Sequence, residues 1–203
     1  MYSYADKGIK FLNKRYVRLF GRLKSVLRAD ELNIMNGVNS MFDEIDPMVK
    51  DVLLRIARGT YKRIRGDHED VIDMMWVLAF LNAYDPITKY VYVGEQDRKR
   101  TRLIEALIAT RSPEEVDLAM RIWARQTTQA CIEITDKAAY KAYEDMGVDR
   151  VVWETEKDLR VCEVCRNRDG KVYELKRVPK KPHYNCRCWL RPFVEGPFRC
   201  SSV

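Results

Sequence analysis

The chain is poor in histidine and has no long apolar run, and each shortage narrows what it can do. Only His68 and His183 are histidine in 203 residues. A metal-dependent nuclease needs an imidazole beyond its metal ligands, and His68 is the sole spare candidate, with no second ligand close to it in sequence. The longest apolar stretch, Met74 to Leu81, falls far short of the ~20 residues that cross a bilayer, so no membrane partner is expected. The first residues, MYSYADKGIK, contain no apolar segment and no small-residue cleavage site, and a secretory leader is not expected either. A helix-turn-helix signature and the C-x2-4-C-x12-H-x3-5-H finger spacing are both missing, which weighs against a nucleic-acid-binding regulator.

What is present describes a folded chain whose basic residues gather at its ends. Apolar residues make up 46% and charged residues 33%, too apolar for a disordered polymer. Residues 1–29 hold eight Lys or Arg against Asp6 alone, and residues 150–203 hold thirteen basic against seven acidic. The stretch between them is acidic, sixteen against twenty-two. Two basic ends can approach a polyanion that the middle repels, although a basic arm can equally serve solubility or pair with the acidic body.

Hydrophobic periodicity predicts helices over most of the first 149 residues. Ile9, Leu12, Tyr16, Leu19, Leu23, Val26 and Leu27 form one stripe of a helix over residues 5–28. The other face carries Lys7, Lys10, Lys14, Arg15, Arg18, Arg22, Lys24 and Arg28, and Lys10, Lys14, Arg15, Arg18 and Arg22 are the candidate contacts to double-stranded DNA. Such a face also suits an acidic protein partner, in which case the apolar stripe would be buried at that interface. Asp46-Pro47 reads as a cap and first turn of a helix running to Gly66, and Asp67 to Tyr84 as another with Val71, Met74, Met75, Leu78 and Leu81 inward. A turn and short extended piece follow over residues 85–93, then a helix from Glu95 to Ala109. Ser112-Pro113-Glu114-Glu115 combines an N-cap, a first-turn proline and a glutamate at the capping-box position, opening a helix that Gly147 stops.

Beyond residue 150 the composition changes, and a domain boundary is placed there. Val148 to Thr155 reads as a strand, and four of the six cysteines crowd into Cys162–Cys188. In a reducing compartment that crowding favours metal over disulfide. Zinc takes four soft or borderline ligands in a tetrahedron, which a chain supplies as two short-spaced pairs. Cys162-x-x-Cys165 and His183-x-x-Cys186 are such pairs, with seventeen residues between them and an Asp169-Gly170 turn expected to form a hairpin there. Cys188 is a fifth candidate, held in reserve: in an extended segment it faces the same way as Cys186 and can replace His183. A module of about fifty residues with few large apolar side chains needs such a staple, so the zinc is expected to be structural and no catalytic residue is assigned. Cys131 reads as a buried helical thiol and Cys200 as a loose one.

The order Val152-Trp153, Asp158-x-Arg160-x-Cys162-x-x-Cys165, Asp169-Gly170, Pro182-His183-x-Asn185-Cys186-Arg187-Cys188 and Pro192 resembles the signature of the phage Mu F-like proteins, also called minor head or head morphogenesis proteins. The likeness covers roughly residues 115–193, with a further similar stretch at Tyr84 to Tyr92 and Arg98-Lys99-Arg100. It departs at Tyr184, where family members often carry proline. The resemblance implies a virion protein present in few copies, acting with the portal protein at one capsid vertex in head assembly and genome packaging or delivery. The major capsid protein is a second implied partner, and the host cytoplasm the place of assembly. Arg187 belongs to the motif without a role that the sequence explains. The expected fold is mainly α, a helical N-terminal body over 1–149 and a small zinc-stapled β-rich module over 150–203. The function expected is that of a structural head protein rather than an enzyme, with a metal-dependent nuclease and a nucleic-acid-binding regulator as the alternatives.

Overall fold

The computed structural model describes residues 2–66 and 95–194, with side chains in the second segment from residue 100. Among the described residues four long helices lead into a three-stranded sheet: α1 (Ser3–Val26), α2 (Glu31–Arg65), α3 (Glu95–Thr110), α4 (Pro113–Asp145), β1 (Arg150–Glu154), a short α5 (Glu163–Arg168), β2 (Val172–Glu174), one 3-10 turn (Leu175–Arg177) and β3 (Trp189–Pro192). The helix expected over Asp67–Tyr84, the extended piece at 85–93, His68 and Cys200 lie outside the described residues.

Helices α1, α2 and α4 pack on one another, and α3 lies against α2 and α4. The α1 stripe of Leu12, Tyr16, Leu19, Phe20 and Leu23 is fully buried within the chain itself. Trp123 of α4 meets Phe42 edge-on at 4.6 Å and Phe20 at 6.0 Å, so one indole ties three helices together. Close approach of α1 and α2 depends on Gly8, where a Cβ would stand 2.7 Å from Val52 Cγ1.

The helix ends follow their local chemistry. Asp30 caps α2 by accepting from Asn33 N at 2.8 Å, and Ser112 caps α4 by accepting from Glu114 N at 3.1 Å. Gly147, at φ +68°, turns the chain out of α4, and Val148 N closes the turn on Tyr143 O at 2.9 Å. Where α1 ends, Arg111 donates to the carbonyls of Leu27 and Ala29.

Two expectations are corrected. Asp46-Pro47 does not begin a helix, because α2 runs unbroken from Glu31 and holds Pro47 in its interior. An internal proline removes one hydrogen bond and costs about 3 kcal/mol, but Ile34, Val38, Phe42 and Ile45 before it and Val49, Leu53 and Ile56 after it form one buried stripe, whose burial offsets that cost several times over. The Asp169-Gly170 turn is present, with Gly170 at φ +73°, yet the residues before it are helix α5 rather than a strand. Strand β2 pairs instead with β1, in the register Val151↔Tyr173.

The sheet has the order β2-β1-β3 and is antiparallel throughout. Central β1 buries Val151, Val152 and Trp153 in succession. Val151 packs with Ala139 and Tyr143 of α4 and with Leu175, so apolar contact crosses residue 150. Trp153, two residues on and therefore on the same face, packs with Cys165, Cys186 and Cys188.

Candidate metal centre

The polypeptide that forms the centre is fixed at both ends by backbone chemistry. After β1, the Asp169 carboxylate accepts from Thr155 N and Thr155 Oγ1, both at 2.9 Å, and Gly170 N donates to Trp153 O at 2.8 Å. These bonds hold the end of α5 against β1. The start of α5 is Cys162, which occupies the N-cap position and accepts from Cys165 N at 3.4 Å through sulfur. On the other side, the His183-to-Cys186 turn passes through Asn185 in the left-handed region at φ 56°, and Asn185 N donates to Gln129 Oε1 of α4 at 2.5 Å.

All five predicted ligands come together. Cys162, Cys165 and His183 form one group with ligand atoms within 4.8 Å of one another, and Cys165, Cys186 and Cys188 form a second, so Cys165 is common to both. Cys165 Sγ lies 3.5 Å from Cys186 Sγ and 3.8 Å from His183 Nε2. A tetrahedral zinc with metal–sulfur bonds of about 2.3 Å has edges of about 3.8 Å, so these separations fit. His183 Nδ1 lies 3.0 Å from the Tyr184 carbonyl, which can only accept. In the neutral ring Nδ1 therefore carries the proton and Nε2 presents its lone pair toward Cys165, the tautomer a metal requires. Cys186 and Cys188 are both buried and Arg187 between them is half-buried, the burial alternation expected of an extended segment.

Electrostatics divides the thiols. The Cys165 backbone N–H beside the Cys162 sulfur, with His183 nearby, lowers the Cys162 thiol below its ordinary value. Burial pushes the Cys165 and Cys188 thiols up. Buried thiols of that kind stay protonated unless a cation replaces the proton, which is what a metal ligand set does. Among the described residues Trp153 Nε1 has no hydrogen-bond partner.

Two residues acquire roles that spacing alone does not supply. Arg187 donates from one nitrogen to both oxygens of Asp158, at 2.7 and 2.9 Å, and Asp158 Oδ1 also accepts from Arg160 N at 2.9 Å. That clamp fixes the loop entering α5 to the segment carrying Cys186 and Cys188, and the Arg187 guanidinium holds the Asp158 carboxyl below its usual value. The other is Arg168, whose guanidinium lies 5.1 Å from the centre of the Trp153 ring and donates to Lys180 O at 2.9 Å. Asp158 and Arg187 stood in the sequence motif, but a partnership across 29 positions is not readable from one sequence.

The nucleic-acid candidates sit elsewhere. Lys10, Lys14, Arg15, Arg18 and Arg22 are exposed on the face of α1 opposite its buried stripe. Arg22 is neutralised by Glu44, and Arg15 lies 5.2 Å from the centre of the Phe11 ring. Among the described residues Lys10, Lys14 and Arg18 have no salt-bridge partner.

Residues 85–191 match the model of the family described as Phage Mu protein F like protein. The chain belongs to this family. The match spans the whole candidate centre and begins at Asp85, inside the upstream stretch whose residues already looked similar. No curated protein and no solved structure matches the chain. Membership in the Phage Mu F-like family makes this a head morphogenesis protein of a bacteriophage, a component of the virion. No described helix is long and apolar enough to cross a membrane.

Proposed function

We propose that this Mu F-like protein is a structural minor head protein that acts with the portal, next to the major capsid protein, in head assembly and genome packaging or delivery, and that one zinc ion holds its C-terminal module together. The observation that carries the zinc reading is the convergence of Cys162, Cys165, His183, Cys186 and Cys188 on one place, inside the family-matched stretch, with spacings that suit a tetrahedron. Four of the five serve as ligands, Cys188 being the reserve. Zinc would supply four bonds between segments that share little apolar surface, and the residue-150 boundary then marks where metal-dependent folding begins. Elemental analysis of His183→Ala and Cys188→Ala separately tests the assignment: the true fourth ligand is the one whose loss lowers zinc content.

The outward face of α1 supports non-specific contact with packaged DNA. Its apolar stripe is used inside the molecule, which argues against the alternative in which that stripe docks on a partner. Lys10, Lys14 and Arg18 changed together to Gln remove about three phosphate contacts, and the slope of log affinity against log salt becomes shallower by about 3. DNA binding unchanged in that variant sinks the DNA role. The protein has no hydrolytic activity of its own in this reading, and plasmid DNA incubated with Mg²⁺, Mn²⁺ or Zn²⁺ stays intact. Cleavage that disappears in His68→Ala would establish the nuclease instead.

A further inference from the structure

Helix α4 holds the metal-ligand segment along one stripe. Gln129, Asp136 and Tyr143 stand at i, i+7 and i+14, two turns apart, and therefore on one face of the helix. Gln129 takes Asn185 N, and Tyr143 donates through its hydroxyl to Leu190 O at 2.9 Å. Between them Asp136 does not reach the segment directly. It works through two other side chains, one of which comes from the residue at the N-cap of α1.

Those side chains are Lys181 and Tyr2. The Lys181 ammonium has three N–H groups and three acceptors: Asp136 Oδ2 at 2.6 Å, the Tyr2 hydroxyl oxygen, and Cys186 O at 3.1 Å. The Tyr2 hydroxyl has one proton and two oxygens within reach, Cys188 O at 2.6 Å and Asp136 Oδ1 at 2.7 Å. Tyr2 is 8% exposed, so these bonds form away from water, where an unmade one is costly. The main-chain carbonyls of two candidate ligands are thus held by a cluster reaching 186 positions back along the chain.

We propose that Tyr2, Lys181 and Asp136 form a latch that couples metal occupancy at the Cys186–Cys188 segment to the seating of the first turn of α1. The coupling rests on the metal reading above. Without the metal the segment loses its fixed geometry, the two carbonyls move off their donors, and the first turn loses the polar contacts that anchor Tyr2. A further polar tie at that end among the described residues, Arg63 Nη1 to Ser3 Oγ at 2.7 Å, is exposed. Because Asp6 N donates to Tyr2 O at 2.8 Å, the helix starts at the latched residue itself. Linkage requires the effect to be reciprocal: the factor by which zinc seats the turn is the factor by which the seated turn tightens zinc. In function the latch would hold the first turn of the DNA-facing helix in place only when the module is metal-loaded.

Zinc affinity by competition with a chelator, together with hydrogen exchange of the amides of residues 6–9, tests this on the full chain. Tyr2→Phe removes the donated proton and keeps the ring, and it weakens zinc binding about tenfold, the scale of an outer-shell contact to a metal site. Chelation of the wild-type chain speeds exchange in residues 6–9 by the same factor, whereas in Tyr2→Phe chelation adds nothing further there. Tyr16→Phe, which breaks the Tyr16–Thr127 bond of 2.6 Å away from the centre, leaves zinc affinity unchanged. Should Tyr2→Phe not fold, Lys181→Gln is read in its place with the same expectations. Wild-type affinity in the variant, or first-turn exchange indifferent to zinc in the wild type, overturns the latch while leaving the metal reading intact. A wild-type chain that takes up no zinc overturns both.

Discussion

Trp123 belongs to a buried cluster with Phe20, Phe42, Leu53 and Ile134, whereas Trp153 is buried in a cluster with sulfur, that of Cys165, Cys186 and Cys188. The first centre gains its stability from apolar area, at roughly 25 cal/mol per Å² removed from water. The second has few large side chains to bury, and burial drives the Cys165 and Cys188 thiols up in pKa. A core of that composition is stable when something replaces the thiol protons. The difference teaches that the two ends of one chain should fail under different treatments, and variants can be chosen to drive them apart.

The largest effect is expected at the sulfur cluster. Cys165→Ser removes the residue common to both ligand groups, and the C-terminal module should unfold while the far-ultraviolet helical signal stays largely intact. Structural zinc contributes on the order of 10 kcal/mol to small metal-folded modules, more than such a sheet could retain without it. Loss of helical signal in parallel would mean that the two centres are one cooperative unit.

The converse substitution is next in size. Phe42→Ala opens a cavity beside Trp123 and should cost the helical body about 3–5 kcal/mol, read as a lower thermal midpoint. Zinc content should not change, and a fall in it would blur the comparison. Smaller again is Tyr143→Phe, which removes the hydroxyl donated to Leu190 O and leaves the apolar contact with Val151. Its cost is about 1 kcal/mol, and zinc content should again be unchanged.

The contrast was only half legible in the sequence. Helix α4 could be bounded almost to the residue because Ser112, Pro113 and Gly147 are local signals. Helix α2 could not, because Pro47 is also a local signal and there it misleads. The buried stripe from Ile34 to Ile56 outweighs it, and that stripe is legible only once its packing partners on α1 and α4 are known. In the centre, residue types and short spacings identified all five candidate ligands. Long-range partners such as Arg187 for Asp158, or Tyr2 for the Cys188 carbonyl, depend on the chain path and have no sequence spacing to betray them.

The smallest effect comes from that Asp158 clamp and fades in acid. Arg187 holds the Asp158 carboxyl below the unfolded value of about 3.9, so its contribution is complete above that pH and is lost as pH falls through the lower folded value. Asp158→Asn should lower module stability slightly at neutral pH, where the clamp is complete, and should lose less than the wild type as pH falls below about 4, as a titration followed by tryptophan fluorescence would record.

Hydrogen exchange of the β1 amides, compared with those of α2 in the same full chain with bound zinc and after chelation, tests the central claim most directly. Trp153 N donates to Lys171 O at 2.9 Å and is protected only while α5 and β2 hold the sheet closed. The account predicts that chelation abolishes protection at Val152 and Trp153 and leaves Leu53 and Ile56 in α2 unchanged. Equal protection of β1 with and without metal would contradict it.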